Sequence, residues 1–311
     1  MVTVRGYDFG WLVWFCAAGN SFFPGVGLIL IAVLLLSSAK RHLRNVAAHS
    51  LVLLGTLLIA LSATPLAWWF YSLWLMSLFV VAVATPLKSR VTRKVGLVCR
   101  PVVLLFCLWG VHMNLPYHLY PELPEGTFGK VYVVGDSVSA GIGGRRERTW
   151  PKIIGDTHGV DVVDLSEPGA TVGSAIRQGR KVRAAHAIVF LEIGGNDLFV
   201  PTPRAQFEKN LRELIEKVSG DERLVVMLEL PLLPWHVCYG RVQRRLAEEA
   251  RVLLVPKRFL ASIFSAEGAT VDLAHLSPEG HKLMAEKVWD LLGSCLTEDL
   301  SAGGPVATTP R

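Results

Sequence analysis

The sequence predicts a two-part chain, an all-α membrane region followed by an α/β domain built on a parallel sheet. Three observations predict it. Apolar runs fill the first third of the 311 residues, each near the roughly 20 residues that a bilayer crossing needs. Charge is sharply divided: residues 1–115 hold nine Lys and Arg but a single acid, Asp8, whereas the remainder holds 23 basic and 25 acidic residues. Beyond residue 128, short apolar runs alternate with amphipathic stretches, the pattern of parallel strands and covering helices.

Four apolar segments make up the membrane region, residues 1–117. The first, 9–36, is longer than one crossing needs and contains Asn20, Ser21 and Pro24, which predicts a kink or tilt. The others are 46–63, 66–85 and 97–117. Trp68, Trp69, Tyr71 and Trp74 gather towards one end of the third, as an interfacial aromatic belt would. Arg100 in the fourth is placed to snorkel towards the nearer surface.

Lys40, Arg41 and Arg44 lie in the first connection, and Lys88, Arg90, Arg93 and Lys94 in the third. The turn at Thr64-Pro65 carries no charge. Basic connections stay in the cytoplasm. The expected topology is a multi-pass inner (plasma) membrane protein, with its N-terminus and everything beyond Tyr117 on the periplasmic side. A cleaved signal peptide ending near residues 37–39 would put Lys40, Arg41 and Arg44 outside, against this bias. The net charge of +6 is therefore the sum of about +8 and −2; it reports on orientation and gives no sign of a nucleic-acid partner.

A Pro-containing linker, 118–128, leads to the α/β domain, 129–295. Five strands are expected at 131–134, 160–165, 187–193, 224–230 and 252–255. Helices are expected at 203–218, where Glu208, Arg212 and Glu216 stand four apart, at 241–250, and at 278–292 with Pro278 in its first turn. The tail, 296–311, is small, polar and Pro/Gly-containing, a composition that stays disordered. No CxxC pair occurs. Cys16, Cys99 and Cys107 sit in apolar stretches, while Cys238 and Cys295 leave the question of a disulfide open.

Four short strings carry the chemistry. GDSVSAG at 135–141 follows the first strand and places Ser137 at its carboxyl end, where open sheets bind ligands. Alone, it also reads as a Gly/Ser turn capped by Asp136. Downstream come SEPGAT at 166–171, EIGGND at 192–197 and VDLAHLSPEGH at 271–281. Together these resemble the four sequence blocks of the SGNH (GDSL-type) hydrolase superfamily, over about residues 129–292, in a member anchored by N-terminal helices.

The resemblance implies a flavodoxin-like three-layer α/β/α domain with a five-stranded parallel sheet. It implies hydrolysis of lipid, carbohydrate or small acyl esters without a cofactor. Ser137 matches the nucleophile, which needs a base to attack a carbonyl. The N–H groups of Ser137 and Gly169 and the amide of Asn196 match the oxyanion hole. His275 matches the base, and Asp272 its orienting acid. Ser139 is a nearby competitor, but the GDS register favours Ser137.

Asp197 reads as a helix N-cap, and His281 as a structural or exposed helix residue. His158, His186 and His236 have no partner pattern. Arg145, Arg146 and Arg148 read as a solvated charge run. GDS, GND and DxxH faintly suggest a metallophosphoesterase, but no DxH and no second His cluster are present. No dinucleotide or phosphate-binding loop appears. Two rival readings remain: an O-acyltransferase using the same acyl-enzyme, and a non-catalytic membrane-bound binding protein. The expected partners are the ester substrate and the lipid bilayer. The acyl chain, the alcohol and the oligomeric state are left open.

Overall fold

The computed structural model describes residues 3–4, 7–8, 10–37, 42–84, 90–124, 128–143, 147–200, 202–220, 222–272 and 274–296. A two-residue antiparallel pair, Thr3–Val4 with Tyr7–Asp8, precedes five apolar helices. These are α1 (Gly10–Ala17), α2 (Phe22–Ser37), α3 (His42–Leu61), α4 (Trp68–Ala84) and α5 (Arg90–Asn114). Helices α1 and α2 meet at a bend of 78°. The break falls at Asn20 and Ser21, and Pro24 sits in the first turn of α2, where a missing N–H costs nothing. The expected first segment is thus two helices.

Helices α2 and α3 pack through glycine on both sides. A Cβ on Gly25 would lie 2.8 Å from the Gly55 carbonyl oxygen, and one on Gly55 would lie 2.7 Å from that of Gly25. Backbone approach of this kind is how helices associate where burial of apolar surface gives no drive. Phe22, Phe70, Trp74, Val103 and Cys107 fill the interior. Trp74 packs at 5.8 Å from Phe70 and 6.2 Å from Phe22, so it belongs to the bundle core and not to the expected belt. Trp68 and Trp69 are exposed, and Tyr71 donates to the Thr64 carbonyl at 2.8 Å.

The outer faces stay apolar, with Leu34, Leu53, Phe79 and Leu105 all exposed. Among the described residues, one helical stretch, Lys94–His118, is long and apolar enough by itself to cross a membrane. The α1–α2 pair meets the same criterion only as a bent unit, and Asn45–Leu61 and Trp68–Ala84 are shorter. Lys40, Arg41 and Lys88, on which the expected topology turns, lie outside the described residues, as do the side chains of Arg44, Arg90 and Arg93.

The second part is a five-stranded sheet of β1 (Lys130–Gly135), β2 (Asp161–Asp164), β3 (Ala187–Glu192), β4 (Arg223–Leu228) and β5 (Leu253–Val255). All neighbours are parallel, in the order β2-β1-β3-β4-β5. Each expected strand is present. Alternation along β1 sends Val131 and Val133 to one face and Tyr132 and Val134 to the other. The first face is covered by α7 (Trp150–His158), α12 (Arg258–Phe264) and α13 (Pro278–Leu292). The second is covered by α8 (Val172–Gly179), α10 (Arg204–Val218) and α11 (Val237–Ala250). Central β3 is buried throughout, as a strand covered on both faces must be.

Winding reverses between β1 and β3, so loops leaving their carboxyl ends diverge and open a crevice there. On α10, Glu208 and Arg212 do not pair along their own helix. Arg245 reaches Glu208 at 2.7 Å and Glu249 reaches Arg212 at 2.8 Å, both from α11. All five cysteines are free, and residues 297–311 of the expected tail lie outside the described residues.

The bundle seats on the sheet's carboxyl end at β4 and β5. Glu229 directly follows β4 and Lys257 follows β5; both are buried, at 1% and 2% exposure. Glu229 binds Arg244 of α11 at 2.6 Å. Arg244 also donates to Asn114 Oδ1 at 3.0 Å and lies over the Tyr117 ring at 4.0 Å. Lys257 Nζ donates to the Ala63 carbonyl, and Arg241 donates to that of Leu66 at 2.9 Å. Trp14 of α1 meets Phe264 of α12, ring centres 4.9 Å apart.

Candidate active site

Ser137 opens α6 (Ser137–Ala140), one helical turn at the end of β1. Asp136 caps that turn by accepting from the Val138 N–H at 3.0 Å. Gln178 on α8 clamps the strand end, its amide accepting from Gly135 N and donating to Gly135 O, both at 3.0 Å. Ser137 is half-buried, and no hydrogen bond to its Oγ is formed among the described residues. Ser139 is fully buried and donates to Glu192 Oε2 at 2.9 Å. The competitor is thereby a core residue, out of reach of a substrate.

Hydrogen bonds gather the next two blocks beside Ser137. Asn196 opens α9 (Asn196–Phe199). Its Nδ2 donates to Asp136 Oδ2 at 3.1 Å and to the Ala170 carbonyl at 3.0 Å. Gly169 lies in a turn closed by Ala170 N to Glu167 O at 3.1 Å, and takes a φ of +75°, which favours glycine. Glu167 N in turn binds the Gly135 carbonyl at 3.1 Å. Both amide hydrogens of Asn196 are therefore engaged, and one must turn away before it can meet an oxyanion.

The fourth block is a compact loop between α12 and α13. Asp272 Oδ1 accepts from the N–H groups of Ala274 and His275, both at 2.7 Å, and its Oδ2 meets His275 Nδ1 at 2.7 Å. A proton on Nδ1 satisfies that carboxylate and leaves Nε2 with its lone pair. Ser277 N binds the Ala269 carbonyl at 2.9 Å, and Ser277 Oγ caps α13 at Gly280 N.

Gly280 locks the loop onto that helix. A Cβ there would fall 1.9 Å from the Ala269 carbonyl oxygen, far inside contact distance. Gly280→Ala should therefore displace the loop that carries Asp272 and His275, lowering the thermal midpoint and esterase activity together. The cost expected for such overpacking is about 1–3 kcal/mol. An unchanged midpoint would contradict it.

Charge in the site is arranged around buried acids. Burial pushes Asp136 up to about 6, opposed by the Val138 N–H and by the His275 imidazole, whose charge acts on it. Glu192 is raised well above its ordinary value by burial and then by the Asp136 charge. Asp272 behaves oppositely: burial would raise it, but the hydrogen bonds from His275 and Ala274 win and hold it at about 2.

The sign for Asp136 follows from its folded value lying above the ordinary 3.8. Between those values the folded chain binds a proton that the unfolded chain has released, so stability falls as pH rises across the interval and levels off above it. Asp136→Asn should flatten that part of a profile of thermal midpoint against pH. A profile as steep as that of the parent chain would contradict the assignment.

Asp197 departs from its expected place, whereas His281 is structural and Arg148 exposed, as expected. Asp197 does not cap its own helix; it is buried and accepts from Val172 N, the first residue of α8, at 2.8 Å. His281 is buried, accepting from Trp150 N at 3.3 Å and standing 3.4 Å from Glu147. Arg148 pairs with Asp156 at 2.9 Å, while Arg145 and Arg146 lie outside the described residues. Glu147 itself, which no motif announced, binds the N–H groups of Ile142 and Gly143 and shapes the loop beyond α6. Among the described residues, no cluster of metal-ligating side chains occurs.

Residues 133–283 match the model of the GDSL-like lipase/acylhydrolase family. An arylesterase of Vibrio mimicus is 29% identical over 174 residues, covering 51% of this chain and 86% of that protein. The esterase TesA of Pseudomonas aeruginosa is 27% identical over 173 residues, again covering 51% and 86%. Among solved structures, the psychrotrophic esterase EstA from Pseudoalteromonas sp. aligns with a TM-score of 0.48 at 20% identity, covering 53% of this chain and 97% of that one. The family match and both relatives fall on the α/β part of the chain, which is similar to GDSL-type (SGNH) hydrolases, and its enzyme class is carboxylic ester hydrolase.

Proposed function

We propose that the protein is a membrane-anchored serine esterase that cleaves acyl esters of lipids or envelope glycans outside the cytoplasm. The observation that carries the reading is the Asp272–His275 bond of 2.7 Å on a loop whose imidazole also acts on Asp136, next to Ser137. The similarity to an arylesterase and to an esterase supports an ester as the substrate. His275 Nε2 takes the proton as Ser137 Oγ attacks the carbonyl, and Asp272 steadies the imidazolium. The N–H groups of Ser137 and Gly169 and one hydrogen of Asn196, turned from Ala170 O, receive the oxyanion. His275 then protonates the departing alcohol, and water repeats the sequence to release the acid.

The membrane half of the proposal rests on the apolar outer faces of α2 to α5, the Gly25–Gly55 approach and the split in charge. In it α2, α3, α4 and α5 cross in turn, and α1 lies against the catalytic domain. Helices of 16 and 17 residues are short for a crossing, a mismatch that bilayers absorb by local thinning. With p-nitrophenyl butyrate, the full chain should show turnover, and Asn196→Ala should lower kcat by about 10²–10³. An unchanged kcat would remove Asn196 from the oxyanion hole; no turnover by the parent chain would overturn the esterase reading.

A further inference from the structure

Five large apolar side chains stand exposed on the described part of the catalytic domain: Ile142, Phe199, Val200, Trp235 and Val271. They are not scattered. Ile142 follows the Ser137 turn, Phe199 ends the turn that Asn196 opens, and Val200 is next to it. Trp235 lies in the connection between β4 and α11, and Val271 adjoins Asp272. All therefore belong to loops at the sheet's carboxyl end or to the His275 loop that meets it. The loops at the amino end carry Arg180, Lys181, Arg183, Glu222 and Arg251 instead. Exposed large apolar groups confined to one rim mark a contact surface.

What that surface contacts follows from where the bundle sits. The same carboxyl end, at β4 and β5, is the seat of the bundle, through Lys257 to Ala63 and Arg241 to Leu66. The connections that make these contacts run straight into Trp68 and Trp69, which are exposed, and Trp11 is exposed at the start of α1. Aromatic side chains gathered at one end of apolar helices mark the headgroup level of a bilayer. The connection that carries Trp235 begins at Glu229, within that seat, so the rim and the interface share the carboxyl end of the sheet.

Resting on the membrane-anchored reading above, we infer that the apolar rim formed by Ile142, Phe199, Val200, Trp235 and Val271 docks on the outer surface of the same bilayer, so that the Ser137 crevice opens onto lipid. Phe199 and Trp235, 77% and 71% exposed, are the principal contacts, dipping into the boundary between headgroups and acyl chains as interfacial aromatics do. Esters held in the leaflet then reach Ser137 sideways, without first dissolving in water.

The test uses the full chain carrying Ser137→Ala in nanodiscs of phosphatidylethanolamine and phosphatidylglycerol. The photo-crosslinker p-benzoylphenylalanine replaces Trp235 or Phe199 and, as a control, Glu222 in an amino-end loop. Phospholipid adducts at 235 and 199, and none at 222, are expected by mass spectrometry. No lipid adduct at 235 and 199, equal yield at 222, or adducts only to a second copy of the chain would overturn the inference. This readout needs no turnover, so it stands apart from the esterase reading.

A second measurement compares a long-chain 4-methylumbelliferyl ester held in vesicles of the same lipids with soluble p-nitrophenyl butyrate. Phe199→Ser with Trp235→Ser should lower the ratio of the two rates about tenfold, and an unchanged ratio would overturn it. Failure of the parent chain on both substrates would sink the esterase reading and leave the crosslinking result to decide the docking.

Discussion

Ser137→Ala abolishes turnover of short p-nitrophenyl esters, a fall of about 10⁴-fold or more, while the thermal midpoint stays where it was. Both halves of that result follow from the site. The Oγ is the atom that the proposed mechanism uses, and it is half-buried without a hydrogen bond among the described residues, so its removal orphans no partner. His275→Ala should cost nearly as much, and the double variant little more, because a nucleophile and its base act as one unit. Ser139→Ala provides the contrast. It strips the buried Glu192 of a 2.9 Å hydrogen bond, so its effect falls on stability first.

Glu229→Ala destabilises the chain by about 3–5 kcal/mol, the usual cost of leaving a buried charge without its partner. Glu229 is the acid that binds Arg244, and its charge also bears on Lys257. Both cations are buried at the junction between bundle and sheet, where Arg244 and Lys257 also reach Asn114 and Ala63. Burial pushes Lys257 down to about 7, with Glu229 holding it up and Arg244 opposing. A lysine whose folded value lies below its ordinary 10.5 destabilises the fold increasingly as pH falls towards the folded value. Without Glu229 that value drops further, and the variant loses additional stability on acidification below 7. Urea or thermal unfolding of the detergent-solubilised chain reads both effects; a loss below about 1 kcal/mol would show that the pair adds little.

Much of the domain was legible because its signals are local. Apolar runs bounded by turn residues located all five strands, and the register of GDS at the end of β1 located Ser137. Pro278 marked the start of α13 to the residue. What escaped was long-range. Asp197 caps a helix 25 residues upstream, and Ser139 binds an acid 53 residues away; neither spacing forms a pattern in a single sequence. Arg212 and Glu208 pair with α11 because that helix lies alongside, a fact that spacing within one helix cannot carry. Glu229, Arg244 and Lys257 form no pattern in the sequence either, because what buries them is a bundle more than 100 residues upstream. Trp74 looked interfacial by composition, yet the α-helical period turns it inward onto Phe22 and Phe70.

The central claim joins a nucleophile to a side of the membrane, and one measurement reads both. Sealed spheroplasts holding the full chain are treated with a membrane-impermeant fluorophosphonate, and the modified residue is located by mass spectrometry. The account predicts an adduct on Ser137 before lysis, absent from the His275→Ala chain. No adduct on Ser137, or one that forms only after lysis, would contradict it.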